Sequence, residues 1–144
     1  MTVRTIMNPE VISVTKETDL YTASSLMAEH DVGCLPVVAV SGRVEGMLTD
    51  RDIVLRCVAK GWDPLVCTVG DAMTRAAACV SPDHPVEDAL ELMRAEQVHR
   101  LPVVEHGKLK GMISLGDLAK ARREDAEISE ALAEISTPYH WNGL

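Results

Sequence analysis

The chain has no Phe, and only two Trp and two Tyr. A surface that stacks unpaired bases needs aromatic side chains, so a base-stacking platform is not expected. Cations are also scarce. There are 14 Lys and Arg against 22 Asp and Glu, and the net charge of −8 opposes binding to a phosphate backbone. The longest apolar run, Leu35 to Val40, falls far short of the roughly 20 residues that span a bilayer. Met1 to Asn8 carry one Arg and no apolar stretch, which reads as no secretory leader and a cytoplasmic location. Cys34, Cys57, Cys67 and Cys79 show neither CxxC spacing nor a His at zinc-finger spacing. Four reduced, mostly buried thiols are therefore expected.

Signs of catalysis are missing too. There is no GxSxG elbow, P-loop or HExxH, and the His at 30, 84, 99, 106 and 140 are scattered. Cys79 and His84 form a pair that lacks further ligands at useful spacing, so no metal is expected. The reading is of a protein that is not an enzyme and needs no cofactor. What the chain does have is 47% apolar content, normal for a globular core, here built from Val, Leu, Ile, Ala and Met.

It also has an internal repeat. With a shift of 66, Val3 to Met7 matches Val69 to Met73, Leu26-Met27 matches Leu92-Met93, and Leu35-Pro36-Val37-Val38 matches Leu101-Pro102-Val103-Val104. After a one-residue deletion the shift is 65, and Gly46-Met-Leu-Thr49-Asp-Arg-Asp52 matches Gly111-Met-Ile-Ser114-Leu-Gly-Asp117. The division expected is 1–64, 65–123 and a C-terminal piece 124–144.

Each repeat reads as strand, helix, strand, strand, helix. Val11 to Val14 is a strand. Thr18 caps a helix whose Leu20, Ala23, Met27 and His30 share a face. In the second copy Pro85 suits the first helical position and Val86, Ala89, Leu92 and Met93 form the stripe. Strands Leu35–Val40 and Val44–Leu48 flank a Gly turn, and Leu101–Val104 and Leu109–Ile113 repeat them. A helix runs from Asp50 to Lys60 and stops at Gly61; its copy starts near Leu115. A unit of about 55 residues is marginal alone, so two are expected to pack sheet to sheet around a pseudo-two-fold axis as an α/β fold. Ile128, Leu132 and Ile135 give a short amphipathic helix in the tail, to dock on its own core, a dimer mate or a client.

Thr49 and Asp52 fall where a strand runs into a helix, and Ser114 and Asp117 repeat this. Such residues form a capping box. The same groups can also serve a ligand: the hydroxyl reaches a phosphate or ribose oxygen, and the carboxylate accepts from both ribose hydroxyls. Gly46 and Gly111 allow close backbone approach.

The doubled pattern of apolar-Pro-Val-Val, Gly turn, and Gly-apolar-apolar-Thr/Ser-x-x-Asp resembles the cystathionine-β-synthase (CBS) domain, and the tandem resembles a CBS pair, or Bateman module, across residues 3–122. The resemblance implies a non-catalytic sensor that binds an adenosine-containing ligand in clefts between repeats. AMP, ADP or ATP is expected, with S-adenosylmethionine or NADH as further options. It also implies a homodimer acting on an unidentified client protein, with neither nucleic acid nor membrane as partner. By the same resemblance, His99 and Arg100 reach phosphates beside the other repeat's Asp, with Arg51 adding charge. Ile12 and Ala78 then offer an adenine slot walled by Pro36 and Pro102. Gly33 and Cys34 stand where His99 and Arg100 would recur, so Thr49 and Asp52 facing His99 and Arg100 are expected to form the better phosphorylated-nucleotide site. The alternative reading is a ligand-free dimeric interaction module.

Overall fold

The computed structural model describes residues 1–75 and 78–121. They fall into two compact units, and neither is a continuous stretch of chain. Residues 11–75 and 106–109 form the first unit; residues 1–10, 78–105 and 110–121 form the second. The tail helix expected around Ile128, Leu132 and Ile135 lies outside the described residues.

In the first unit, helix α2 (Leu20–His30) begins at Asp19 and not at Thr18. The Asp19 carboxylate accepts from the Thr22 N–H at 2.7 Å and from its hydroxyl at 2.8 Å. Thr18 instead accepts from the Thr15 N–H at 3.3 Å, closing the preceding turn. Leu20, Ala23 and Met27 are buried, whereas His30 is exposed, since it lies in the last turn before the left-handed Asp31.

Strand β1 (Cys34–Val38) pairs antiparallel with β2 (Val44–Thr49), and β2 pairs with the short β3 (Thr74–Arg75). Val40, expected in β1, is fully exposed beyond it. The strand expected at 11–14 reduces to one parallel bridge, Val14 to Val37. Proline explains this. The Val14 N–H donates to the Pro36 carbonyl at 3.1 Å, and the Val38 N–H donates to the Val14 carbonyl at 2.8 Å. The next ladder bond would run from residue 36 to the Ile12 carbonyl, and proline has no N–H to give.

The helix expected from Asp50 to Lys60 is divided. Helix α3 (Asp50–Arg56) ends at Cys57, and a short 3-10 helix (Val58–Lys60) stops at left-handed Gly61. Cys57 leaves the helical region because its buried thiol turns inward and donates to the Trp62 carbonyl. Helix α4 (Val69–Ala72) completes the unit, and the Arg56 guanidinium donates to the Ala72 and Met73 carbonyls at 3.0 and 3.1 Å. Leu20, Leu35, Val37, Leu48, Val69 and Ala72 are at most 1% exposed at its centre.

The second unit follows the same plan. Helix α1 (Val3–Ile6) opens the chain. Helix α5 (Val86–Glu96) starts one residue after Pro85, which is extended and is itself the cap residue. The apolar stripe includes buried Leu90, while Leu92 is half-buried. Strand β4 (Arg100–Glu105) pairs with β5 (Lys108–Ser114), and α6 (Leu115–Ala121) follows. Val80 bridges Val103 as Val14 bridges Val37, and Pro102 likewise has no N–H for the Ala78 carbonyl.

The opening segment of each repeat joins the other repeat's unit. Val3 of α1 is fully buried in the second unit, where its N–H donates to the His84 carbonyl at 2.9 Å. Val69 of α4 is fully buried in the first unit, where its N–H donates to the Thr18 carbonyl at 2.7 Å. Asn8 pairs with Met112 of β5 just as Thr74 pairs with Met47 of β2.

Asp19 makes the first unit sensitive to acid. The Thr22 backbone and side-chain hydrogen bonds hold its carboxyl below the ordinary value. A depressed folded pKa contributes stability above the ordinary carboxylate range, and that contribution is lost as pH falls through the folded value. Asp19→Asn is therefore expected to flatten the acid limb of the stability profile. Urea midpoints taken from about pH 6 to about pH 2 check it; profiles of equal slope would contradict it.

Candidate ligand site

Each unit carries a strand–helix junction with the same reciprocal bonds. The Thr49 hydroxyl accepts from the Asp52 N–H at 3.1 Å, and Asp52 Oδ2 accepts from the Thr49 N–H at 3.0 Å. The Ser114 hydroxyl accepts from the Asp117 N–H at 3.1 Å, and Asp117 Oδ2 accepts from the Ser114 N–H at 2.9 Å. These are capping boxes, as the Thr-x-x-Asp and Ser-x-x-Asp spacing predicts. The box engages one carboxylate oxygen, and a carboxylate has two acceptor atoms. All four residues are half-buried, with solvent access to the junction.

In the first unit Cys34 pairs with Thr49, and the Asp50 N–H donates to the Gly33 carbonyl at 2.9 Å. A Cβ on Gly33 would lie 2.9 Å from Asp50 Oδ2, so position 33 stays small while Asp50 lies over it. In the second unit the Leu115 N–H donates to the His99 carbonyl at 2.8 Å. His99 and Arg100, both exposed, therefore adjoin the Ser114–Asp117 box of their own unit. Thr49 and Asp52 belong to the first unit. Arg51 is exposed, and its backbone N–H donates to Asp50 Oδ1 at 2.8 Å.

Ile12 and Ala78 are half-buried against their units' cores, and Pro36 and Pro102 are buried. The backbone here contributes something that reading side chains did not find. β1 runs between the Val14 bridge and β2, so Pro36 is a central-strand proline. The Val14 bridge lies on one edge of β1, and β2, which ends in the Thr49 box, pairs with the other. The signal available in the sequence was a proline in the middle of an apolar strand, in both repeats.

None of the four cysteines is in a disulfide, and only Cys57 is buried; Cys34 and Cys67 are half-buried and Cys79 is exposed. The expectation of mostly buried thiols therefore holds for Cys57 alone. Burial, with Cys57 alongside, pushes the Cys67 thiol up, and burial alone pushes the Cys79 thiol up. Cys79 and His84 line a hollow of about 330 Å³ together with Asp88 and Glu91. Among the described residues no three such side chains are gathered to hold a metal ion, and no helix is long and apolar enough to cross a membrane.

Two copies of a small sheet with helices, each with a capping box at the strand–helix junction, define a tandem-repeat α/β module. The chain belongs to the CBS-domain family, which it matches over residues 3–58 and 69–124. Pairs of this kind are generally regulatory modules and not enzymes. The CBS domain-containing protein YhcV of Bacillus subtilis is 39% identical over 134 residues, 93% of this chain and 94% of its own. Hypoxic response protein 1 of Mycobacterium tuberculosis is 37% identical over 137 residues, 95% of each chain. A crystal structure of Hypoxic Response Protein I with two coordinated zinc ions has a TM-score of 0.78 at 37% identity, covering 83% of this chain and 98% of that one. One of CBSX2 in complex with AMP has a TM-score of 0.74 at 29% identity, covering 85% and 96%.

Proposed function

We propose that this chain is a non-catalytic regulatory protein that binds an adenosine-containing nucleotide, AMP, ADP or ATP, and acts as a homodimer on a client protein. The observation that carries the reading is the central-strand proline in both repeats. A proline there forfeits a ladder bond and is found in sheets mainly at edges. A capping box alone gives no reason for it. With the proline present, the Ile12 and Ala78 carbonyls are left to accept from an adenine amino group, while Thr49–Asp52 and Ser114–Asp117 take the ribose hydroxyls. Arg100, with His99 and Arg51, is assigned to phosphate, where a planar guanidinium fork matches the anion. The AMP complex of a 29% identical chain of the same fold supports this ligand class.

Binding would act by population shift, favouring the conformation with the higher affinity for the nucleotide. The test is a thermal-shift panel of AMP, ADP, ATP, S-adenosylmethionine and NADH on wild type, Asp52→Ala and Asp117→Ala. Ligand at about 100 times its dissociation constant is expected to stabilise wild type by roughly 2.7 kcal/mol. Loss of one charged acceptor is expected to weaken binding about ten- to a hundredfold. It also removes a cap bond, at about 1 kcal/mol of basal stability. Arg100→Ala is expected to weaken AMP more than adenosine. If nucleotide-free wild type responds to none of the five, the boxes are caps only and the ligand-free interaction module is the better reading.

A further inference from the structure

The first unit brings two cysteines together. Cys57 follows α3 directly, and Cys67 comes two residues before α4. Cys57 is fully buried in the unit's core, and half-buried Cys67 packs against the same cluster. The Cys57 side chain is a hydrogen-bonding neighbour of the Cys67 thiol. The connection between them is folded back on itself. The Trp62 N–H donates to the Cys57 carbonyl at 3.1 Å, and the Cys57 thiol donates to the Trp62 carbonyl at 3.5 Å. The Val66 and Cys67 N–H groups both donate to the Asp63 carbonyl, at 3.0 and 2.9 Å. The Cys67 carbonyl accepts from the Leu20 N–H at 2.9 Å, which fastens this end to the start of α2. Backbone bonds at both ends therefore hold the two thiols beside each other.

The pair is not a demand of the repeat, which has Arg122 where the first copy has Cys57. Nor are the two thiols equivalent. Cys67 is reachable by a small oxidant, whereas Cys57 is enclosed and has Cys67 as its route to one. Attack of the Cys67 thiolate on a low-molecular-weight disulfide forms a mixed disulfide and releases one small thiolate. Attack of the Cys57 thiolate on the Cys67 sulfur then breaks the mixed disulfide, forms the 57–67 bond and releases the second. The protein gives up two electrons and two protons, and the small disulfide takes them to become two thiols. Burial foremost, and then Cys57, keeps the Cys67 thiol protonated, so the exchange is slow and the reduced pair persists until an oxidant accumulates.

We infer that Cys57 and Cys67 form a redox-modifiable dithiol, closed to a disulfide by a low-molecular-weight disulfide. Closure ties the end of α3 to the segment before α4 and takes the Cys57 thiol from the Trp62 carbonyl. The Thr49–Asp52 box lies at the other end of that same α3. The test is equilibration of the full-length protein in glutathione buffers of rising oxidised fraction, with and without urea, followed by alkylation and peptide mass mapping. The folded protein is expected to lose the mass of two hydrogens and to yield a peptide pair joined through residues 57 and 67. The bond is expected to form at least about tenfold more favourably in the folded protein than in urea, because folding has already closed the loop. In Cys67→Ser, with circular dichroism to confirm folding, Cys57 is expected to stay reduced in the same buffers. A 57–67 bond no more favourable in the folded protein than in urea would overturn the inference. So would glutathione retained on Cys67 beside a reduced Cys57, or a bond to Cys34 or Cys79 in place of this one.

Discussion

Alanine at position 46, or at position 111, is expected to lower stability by about 3 kcal/mol, at the upper end for overpacking. Gly46 lies inside β2, and a Cβ there would overlap the carbonyl oxygen of Thr74 on β3. A Cβ on Gly111 in β5 would stand 2.6 Å from the Asn8 carbonyl oxygen and 3.2 Å from Met7 Sδ. In both places the obstacle is backbone, which moves only by giving up its pairing. For Gly111 that means the two bonds between Asn8 and Met112, at 2.8 and 2.9 Å. Gly116 is the control: it sits in α6 with Ser114 Oγ as its nearest neighbour, at 3.6 Å. Alanine there is expected to be neutral or stabilising by up to about 1 kcal/mol. Urea unfolding of the three variants checks the set, and an unchanged midpoint for Gly46→Ala would mean that β3 does not approach β2 this closely.

Val3→Asp is expected to be at least as damaging, at about 4 kcal/mol, because it places a carboxylate in a fully apolar environment. Val3 is 0% exposed and shares a cluster with Val86, Leu90, Leu101 and Ile113. The loss should fall on the second unit, although residue 3 opens the first repeat. Native-state hydrogen exchange resolves this, since local opening reports separately on each unit. Protection at Val103 and Ile113 is expected to fall well before protection at Val37 and Leu48. Val69→Asp should reverse the order, because Val69 is buried with Leu20, Leu35 and Leu48. Early loss at Val37 and Leu48 in Val3→Asp would contradict the exchange of opening segments.

Most of the fold was legible because it is written twice. The period of 66, then 65, gives the hairpins and helices, and the Thr49–Asp52 and Ser114–Asp117 spacing gives the boxes as they stand. What escaped was non-local. Nothing near Val3 or Val69 in sequence says which core each will enter, since both repeats offer similar apolar sites. Asp19 won over Thr18 because its two oxygens take both Thr22 donors, a matter of one residue. The strand expected at Val11 to Val14 shrank because Pro36, its partner, lacks the N–H to extend it. That same proline links fold to proposed function. Reading it as a wall of the adenine slot overlooked that it also leaves the Ile12 carbonyl unpaired by the ladder.

The most direct test of the central claim is an AMP titration of the uniformly labelled protein followed by backbone amide shifts. The account predicts saturable shifts concentrated at residues 12–14 with 49–52, at 78–80 with 114–117, or at both sets, and their loss for a box whose Asp52 or Asp117 has been replaced by Ala. Saturable shifts that avoid both junctions, or none at millimolar AMP, would contradict it.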